Sequence, residues 1–167
     1  MANFTWNGQT GQWTDPTHWQ GDAVPNAPDT ATFVAGQSAY VVTVASPVAI
    51  GTIDFDAGGA TLDVTTGGVL TVGQQIELFA GTLSIEGTVD GGTLDVYSGS
   101  LNLDGGTIAS ATIAGNITGT GTLSGDTIDY GSFALLPSGT LTVTNGLQVD
   151  GSASFDAGGS SETITVS

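Results

Sequence analysis

One imidazole and sixteen carboxylates, with no thiol, are the main groups that this 167-residue chain offers for proton transfer or metal ligation. His18 has neither a second histidine nor a cysteine to complete a zinc site, so a packed or loop histidine is expected. Asp54 and Asp56 stand at i and i+2 on an expected strand, which turns both carboxylates to one side. With carbonyls and water they approach the roughly six to eight oxygens that calcium takes. They are the candidate calcium ligands; the competing reading is a solvated strand face. The segment Asp54-Phe55-Asp56-Ala57-Gly58-Gly59 has a partial echo in Ser154-Phe155-Asp156-Ala157-Gly158-Gly159, but no calcium nonapeptide or EF-hand spacing occurs. Asp95 and Asp104 can be offered for two-carboxylate hydrolysis, yet nothing singles them out. No Gly-x-Ser-x-Gly elbow is present, and lyase chemistry on acidic sugars wants a cationic side chain that the chain lacks. The expectation is a non-enzymatic protein that requires no cofactor, with calcium the one candidate.

Two further groups have residue types suited to binding. Trp6, Trp13 and Trp19 cluster near the N-terminus. Their rings can cap a core against water, or Trp13 and Trp19 can form a platform for sugar rings. Threonines recurring along the chain can form a flat array of the kind that binds ice, but their neighbours vary, and threonine is an ordinary outward strand residue.

The elements that must carry these residues follow from composition. Hydrophobic residues make up 39%, charged residues 10%, and there are 27 glycines. Disordered chains are highly charged and poor in Val, Ile and Leu, so this one folds. No apolar run is long enough for a membrane-spanning helix. The formal net charge is -16 with no Lys or Arg, which excludes phosphate neutralisation and hence nucleic-acid binding, and docking on anionic membranes. Compensation for the carboxylates has to come from solvent cations, a metal or a partner. Residues 1–6 contain neither the basic nor the apolar region of a secretory signal.

The chain divides near residue 50. Residues 1–50 hold all three Trp and four of the five Pro and read as a capping region with a first coil. Residues 51–167 read as repeats. Short copies such as Ala60-Thr61-Leu62-Asp63-Val64, Gly81-Thr82-Leu83-Ser84-Ile85 and Gly99-Ser100-Leu101-Asn102-Leu103 align with Gly121-Thr122-Leu123, Gly139-Thr140-Leu141-Thr142-Val143 and Glu162-Thr163-Ile164-Thr165-Val166. Their central apolar residues recur with a mean step close to twenty. Polar and apolar residues alternate within each copy, the strand signature, and Gly, Asn and Asp punctuate them where corners need positive φ. The expected fold is all-β: a right-handed parallel β-solenoid (β-helix) with coils of about twenty residues and a Trp-rich N-terminal cap. Its inner ladder is expected to be Leu62, Leu83, Leu101, Leu123, Leu141 and Ile164. The outer ladder is expected to be Thr61, Thr82, Ser100, Thr122, Thr140 and Thr163.

The opening Trp6-Asn7-Gly8, Gly11-Gln12-Trp13, Asp15-Pro16-Thr17-His18-Trp19, Val24-Pro25-Asn26 and Asp29-Thr30-Ala31-Thr32-Phe33 resembles the Trp-rich start of autotransporter-like bacterial surface proteins. Gly91-Gly92-Thr93-Leu94 and Gly105-Gly106-Thr107-Ile108 resemble their passenger β-helix repeats. The resemblance implies secretion and a surface, adhesive or matrix role. The sequence lacks that family's membrane barrel and signal peptide, so a passenger fragment or a relative exported by another route is implied.

The functional expectation is therefore an extracellular or bacterial cell-surface structural protein, a subunit of a filament, sheath or matrix. Thr163, Ile164, Thr165 and Val166 form an uncapped end that templates the next molecule. The expected partners are copies of itself, as homo-oligomer or polymer, and a surface polysaccharide, with no nucleic acid and no membrane insertion. Alternatives are a section of an adhesin passenger and a glycan-binding module.

Overall fold

A computed structural model describes residues 1–36, 38–136, 139–150, 152–156 and 163–166. Fifteen strands join in one continuous sheet that coils upon itself: β1 (Asn3–Thr5), β2 (Gly11–Gln12), β3 (Thr30–Phe33), β4 (Val41–Val44), β5 (Val48–Val64), β6 (Val69–Ile85), β7 (Thr88–Asp90), β8 (Thr93–Val96), β9 (Ser100–Ala109), β10 (Thr112–Ala114), β11 (Ile117–Tyr130), β12 (Ser132–Leu135), β13 (Thr140–Val149), β14 (Ser154–Asp156) and β15 (Thr163–Val166). Every strand pairing among the described residues is parallel. One turn of 3-10 helix, Pro16–His18, is the sole helical element among them. The protein is a parallel β-solenoid, as the twenty-residue period requires.

The solenoid has three faces, and the longest strands bend around its corners. Alternation turns apolar columns inward on each face; two residues along from the columns named next run Phe33, Phe55 and Leu78 on the first face and Val44, Val64, Ile85 and Leu103 on the second. On the first face Ala31, Ile53, Ile76, Leu94, Ile113, Ile128 and Val149 stack in register. Their spacing gives coils of 22, 23, 18, 19, 15 and 21 residues. The second face stacks Val42, Leu62, Leu83, Leu101, Ile117, Phe133 and Phe155. The third stacks Val48, Leu70, Val89, Ile108, Leu123, Val143 and Val166. The central members of each column are almost wholly shielded from solvent, and each such side chain contributes roughly 1.5–3 kcal/mol.

These columns correct the expected inner ladder. Leu62, Leu83 and Leu101 do share a wall, but Leu123 stacks on Ile108 and Val143, around the corner on the third face. Leu141 and Ile164 pair with each other on that same third face. The expected outer ladder divides likewise. Thr61, Thr82 and Ser100 follow one another on the second face, whereas Thr122 belongs to an unbroken column of Thr88, Thr107, Thr122, Thr142 and Thr165 on the third. The physical reason is that all three faces ask the same thing of the chain: a corner glycine, an outward threonine, an inward leucine. Gly81-Thr82-Leu83 enters the second face, Gly92-Thr93-Leu94 the first, and Gly121-Thr122-Leu123 the third.

Glycine is required where the corner before the third face packs coil on coil. A β-carbon on Gly68 would lie 2.1 Å from the Val44 carbonyl oxygen, one on Gly87 2.3 Å from that of Gly68, and one on Gly106 2.6 Å from that of Gly87. The backbones approach too closely there for any side chain.

Candidate functional site

The N-terminal segment closes the core. Between β1 and β3 the chain folds across the first coil, where Trp6 N donates to the Thr32 carbonyl at 3.0 Å and Trp13 N to that of Thr43 at 2.9 Å. The Asp15 carboxylate caps its helical turn, accepting from Thr17 N at 3.0 Å and Thr17 Oγ1 at 2.7 Å. Trp6, Trp13 and Trp19 are exposed by only 1%, 0% and 2%. Trp19 packs edge-on against both other indoles, with centroids 4.9 Å apart in each pair, and all three lie against Phe33, which continues inward to Phe55. Trp19 Nε1 donates to the Trp13 carbonyl at 2.7 Å and Trp6 Nε1 to the Gln9 carbonyl at 2.7 Å. This is the geometry of a cap. Trp13 borders a small cleft with Val24, Pro25, Asn26 and Pro47, but neither its ring nor that of Trp19 presents a face to a sugar. His18 stacks on Trp6 at 4.9 Å, with Nε2 3.9 Å from Asp15 Oδ2 and Nδ1 3.4 Å from Asn7 Oδ1. It is a packing element of the cap, and no third ligand-type side chain joins it among the described residues.

Asp54 and Asp56 do point to one side, on the first face, and border a cleft of about 310 Å³ with Thr32, Phe33, Val34, Ala35 and Phe79. Burial, then the charge of Asp56, holds the Asp54 carboxyl above its ordinary value. No group of three His, Cys, Asp or Glu suited to a metal occurs among the described residues. Calcium here would rest on two carboxylates and backbone oxygens. The echo of this segment does not reproduce the site: Phe55 lies on the first face and Phe155 on the second, and residues 157–159 lie outside the described ones.

The outward column through Asp54 continues with Glu77 and Asp95. Asp95 is raised by burial and by the charge of Asp129. Asp104 lies away from it, past the second face, where it accepts from Ser84 Oγ at 2.8 Å. The two acids offered for hydrolysis are therefore not brought together.

Two features escaped the sequence. Phe79, Tyr97 and Tyr130 form an exposed aromatic edge beside the acidic column, 39%, 55% and 43% accessible. Asp126 is 2% exposed; burial pushes its carboxyl up to about 6. Its oxygens accept from Ala111 N at 2.9 Å and Ser124 N at 2.7 Å, satisfying a corner where the ladder bulges. The one sequence signal was its place directly after Ser124-Gly125, in a stretch where acids otherwise fall on outward positions.

At the other end, β15 pairs with β13 alone among the described residues. Val143, Leu147, Phe155, Ile164 and Val166 line an apolar hollow there. Ile164 is 46% exposed and Val166 75%, against near-complete burial of the equivalent inner residues. Thr163 and Thr165 are exposed beside them.

No family model matches this chain, and no curated protein or solved structure matches it either.

Proposed function

We propose that this protein is an extracellular structural module, a β-solenoid subunit of a bacterial surface filament, sheath or matrix that associates end to end. One observation carries the reading: the asymmetry of the two ends. Three buried indoles close the core at one end, while the other offers Ile164, Val166 and the hollow they share with Phe155. An apolar rung next to a strand edge is covered most readily by another coil of the same kind. A heterologous contact of that sort, repeated, makes an open fibre. The absence of Lys and Arg fits an assembly held by backbone ladders and apolar rungs, with carboxylates left on the outside.

The same observation supports a second reading, in which the covering coil belongs to a longer adhesin passenger. Electron microscopy of the purified chain at pH 7 and pH 4, with and without calcium, separates them. Regular fibres are expected for the subunit. Dispersed short rods in all four conditions, with a monomer in ultracentrifugation at high concentration, would overturn end-to-end association.

A further inference from the structure

A bulge in the ladder creates the feature with most chemical content outside the two ends. Phe55 pairs with Leu78 and Asp56 with Ala80, so Phe79 is the extra residue between them and its ring turns outward. One coil on, Tyr97 lies flat against it, with centroids 4.8 Å apart and planes 6° from parallel. The cleft lined by Thr32–Ala35, Asp54, Asp56 and Phe79 is built from the coils that precede Phe79, and so opens on the side of that ring away from Tyr97. At the level between Val34 and Phe79 the corner carries Asp56 in place of an aromatic residue, and a volume of about 310 Å³ stays open.

We propose that this cleft receives the guanidinium group of an arginine on a basic partner polypeptide. The cleft has an aromatic floor, two carboxylates at its side and an apolar roof at Val34. Coils are spaced about 4.8 Å, so one planar group placed midway continues the ring stack that Tyr97 and Phe79 begin. A flat, weakly hydrated cation meets both demands, stacking on the ring while donating to carboxylates. A hydrated calcium ion gains nothing from the phenyl face. The chain has no Lys or Arg of its own, so the occupant comes from another molecule. Burial, and then the charge of Asp56, raise the Asp54 carboxyl, and with no Lys or Arg in the chain the offsetting cation has to be supplied from outside. Glu77 and Asp95 extend the negative column beyond the cleft, matching a partner with further basic residues along its length.

The probe is a blocked Gly-Arg-Gly peptide, titrated into the full chain at about 0.15 M salt by calorimetry and by amide NMR. The comparison ligands are the same peptide with citrulline for arginine, and calcium chloride. One site per chain is expected, with shifts confined to residues 32–35, 54–56 and 79. Citrulline, equal in shape but uncharged, should bind at least tenfold more weakly. Phe79→Leu, which keeps apolar bulk without the π face, should weaken the arginine peptide roughly fivefold, and Asp54→Asn should do so by at least as much. Asp150→Asn, a remote exposed acid, should leave binding unchanged. Equal losses from Asp150→Asn and Asp54→Asn would reduce the effect to bulk charge and overturn the proposal. So would unaltered binding in Phe79→Leu, or calcium displacing the peptide with no dependence on Phe79. Fibre formation is scored separately at the other end of the molecule, so failure of either reading leaves the other intact.

Discussion

Gly87 sits so closely beneath Gly68 that a β-carbon on Gly87 would lie 2.3 Å from the Gly68 carbonyl oxygen. The obstacle is backbone and cannot swing aside. Gly67, on the same turn, has φ of +87° but nothing within 4 Å of a β-carbon. Gly67→Ala should therefore cost about 1–2 kcal/mol, the strain of a left-handed residue alone. Gly87→Ala should cost more, about 3 kcal/mol or above, because two coils must part. Denaturant titration of both variants checks the order; equal losses would show that the corner yields.

Thr122 is the register partner of Thr107, and both point outward. In a protein without cysteine, Thr107→Cys with Thr122→Cys should oxidise readily to an intramolecular disulfide, since neighbouring coils bring Cα atoms within the usual range of about 4.4–6.8 Å. Ser100→Cys with Thr122→Cys, the pair that sequence alignment alone would join, should stay reduced or cross-link between molecules. Mass spectrometry under non-reducing conditions distinguishes the two.

The indoles of the cap carry much of the first coil. Trp13→Ala removes a wholly buried indole in contact with Trp19 and Phe33 and should cost about 3–5 kcal/mol. Tryptophan emission of the wild-type chain should be blue-shifted and resistant to iodide quenching until unfolding. Exposed, quenchable indoles in the folded protein would contradict the cap.

Acid should stabilise this protein over a range where it destabilises many others. Asp126 has a folded value raised to about 6 from 3.8, chiefly by burial. A raised folded value means the native state holds the proton more tightly. The associated stability is fully present below pH 4 and lost as pH rises through 6. Its size is of order 2–3 kcal/mol. Asp54, Asp63 and Asp95 are raised as well and act in the same direction. Thermal unfolding of dilute protein should show a higher midpoint at pH 5 than at pH 7.5. Asp126→Asn should flatten that slope between pH 5 and 6.5. A midpoint that falls on acidification would contradict the burial of these groups.

The sequence by itself determined the local grammar. Alternation set the strands, a mean period near twenty set the coil, and the concentration of tryptophan before residue 20 announced a cap. Each depends on neighbours a few residues apart, or on composition. Which wall a strand joins was decided only in the folded molecule. Gly-Thr-Leu suits all three corners equally, so the step from Leu101 to Leu123 reads as one coil although the chain has turned a coil and a third. Coil lengths from 15 to 23 residues hide the slip, because a corner absorbs extra residues without disturbing the ladder beside it. The same freedom placed Phe79 on a bulge over Asp54 and Asp56, and sank Asp126 into a corner beside Ala111. Those meetings join residues on different coils. Only the stacking of whole coils fixes them, through backbone ladders that are blind to side-chain identity.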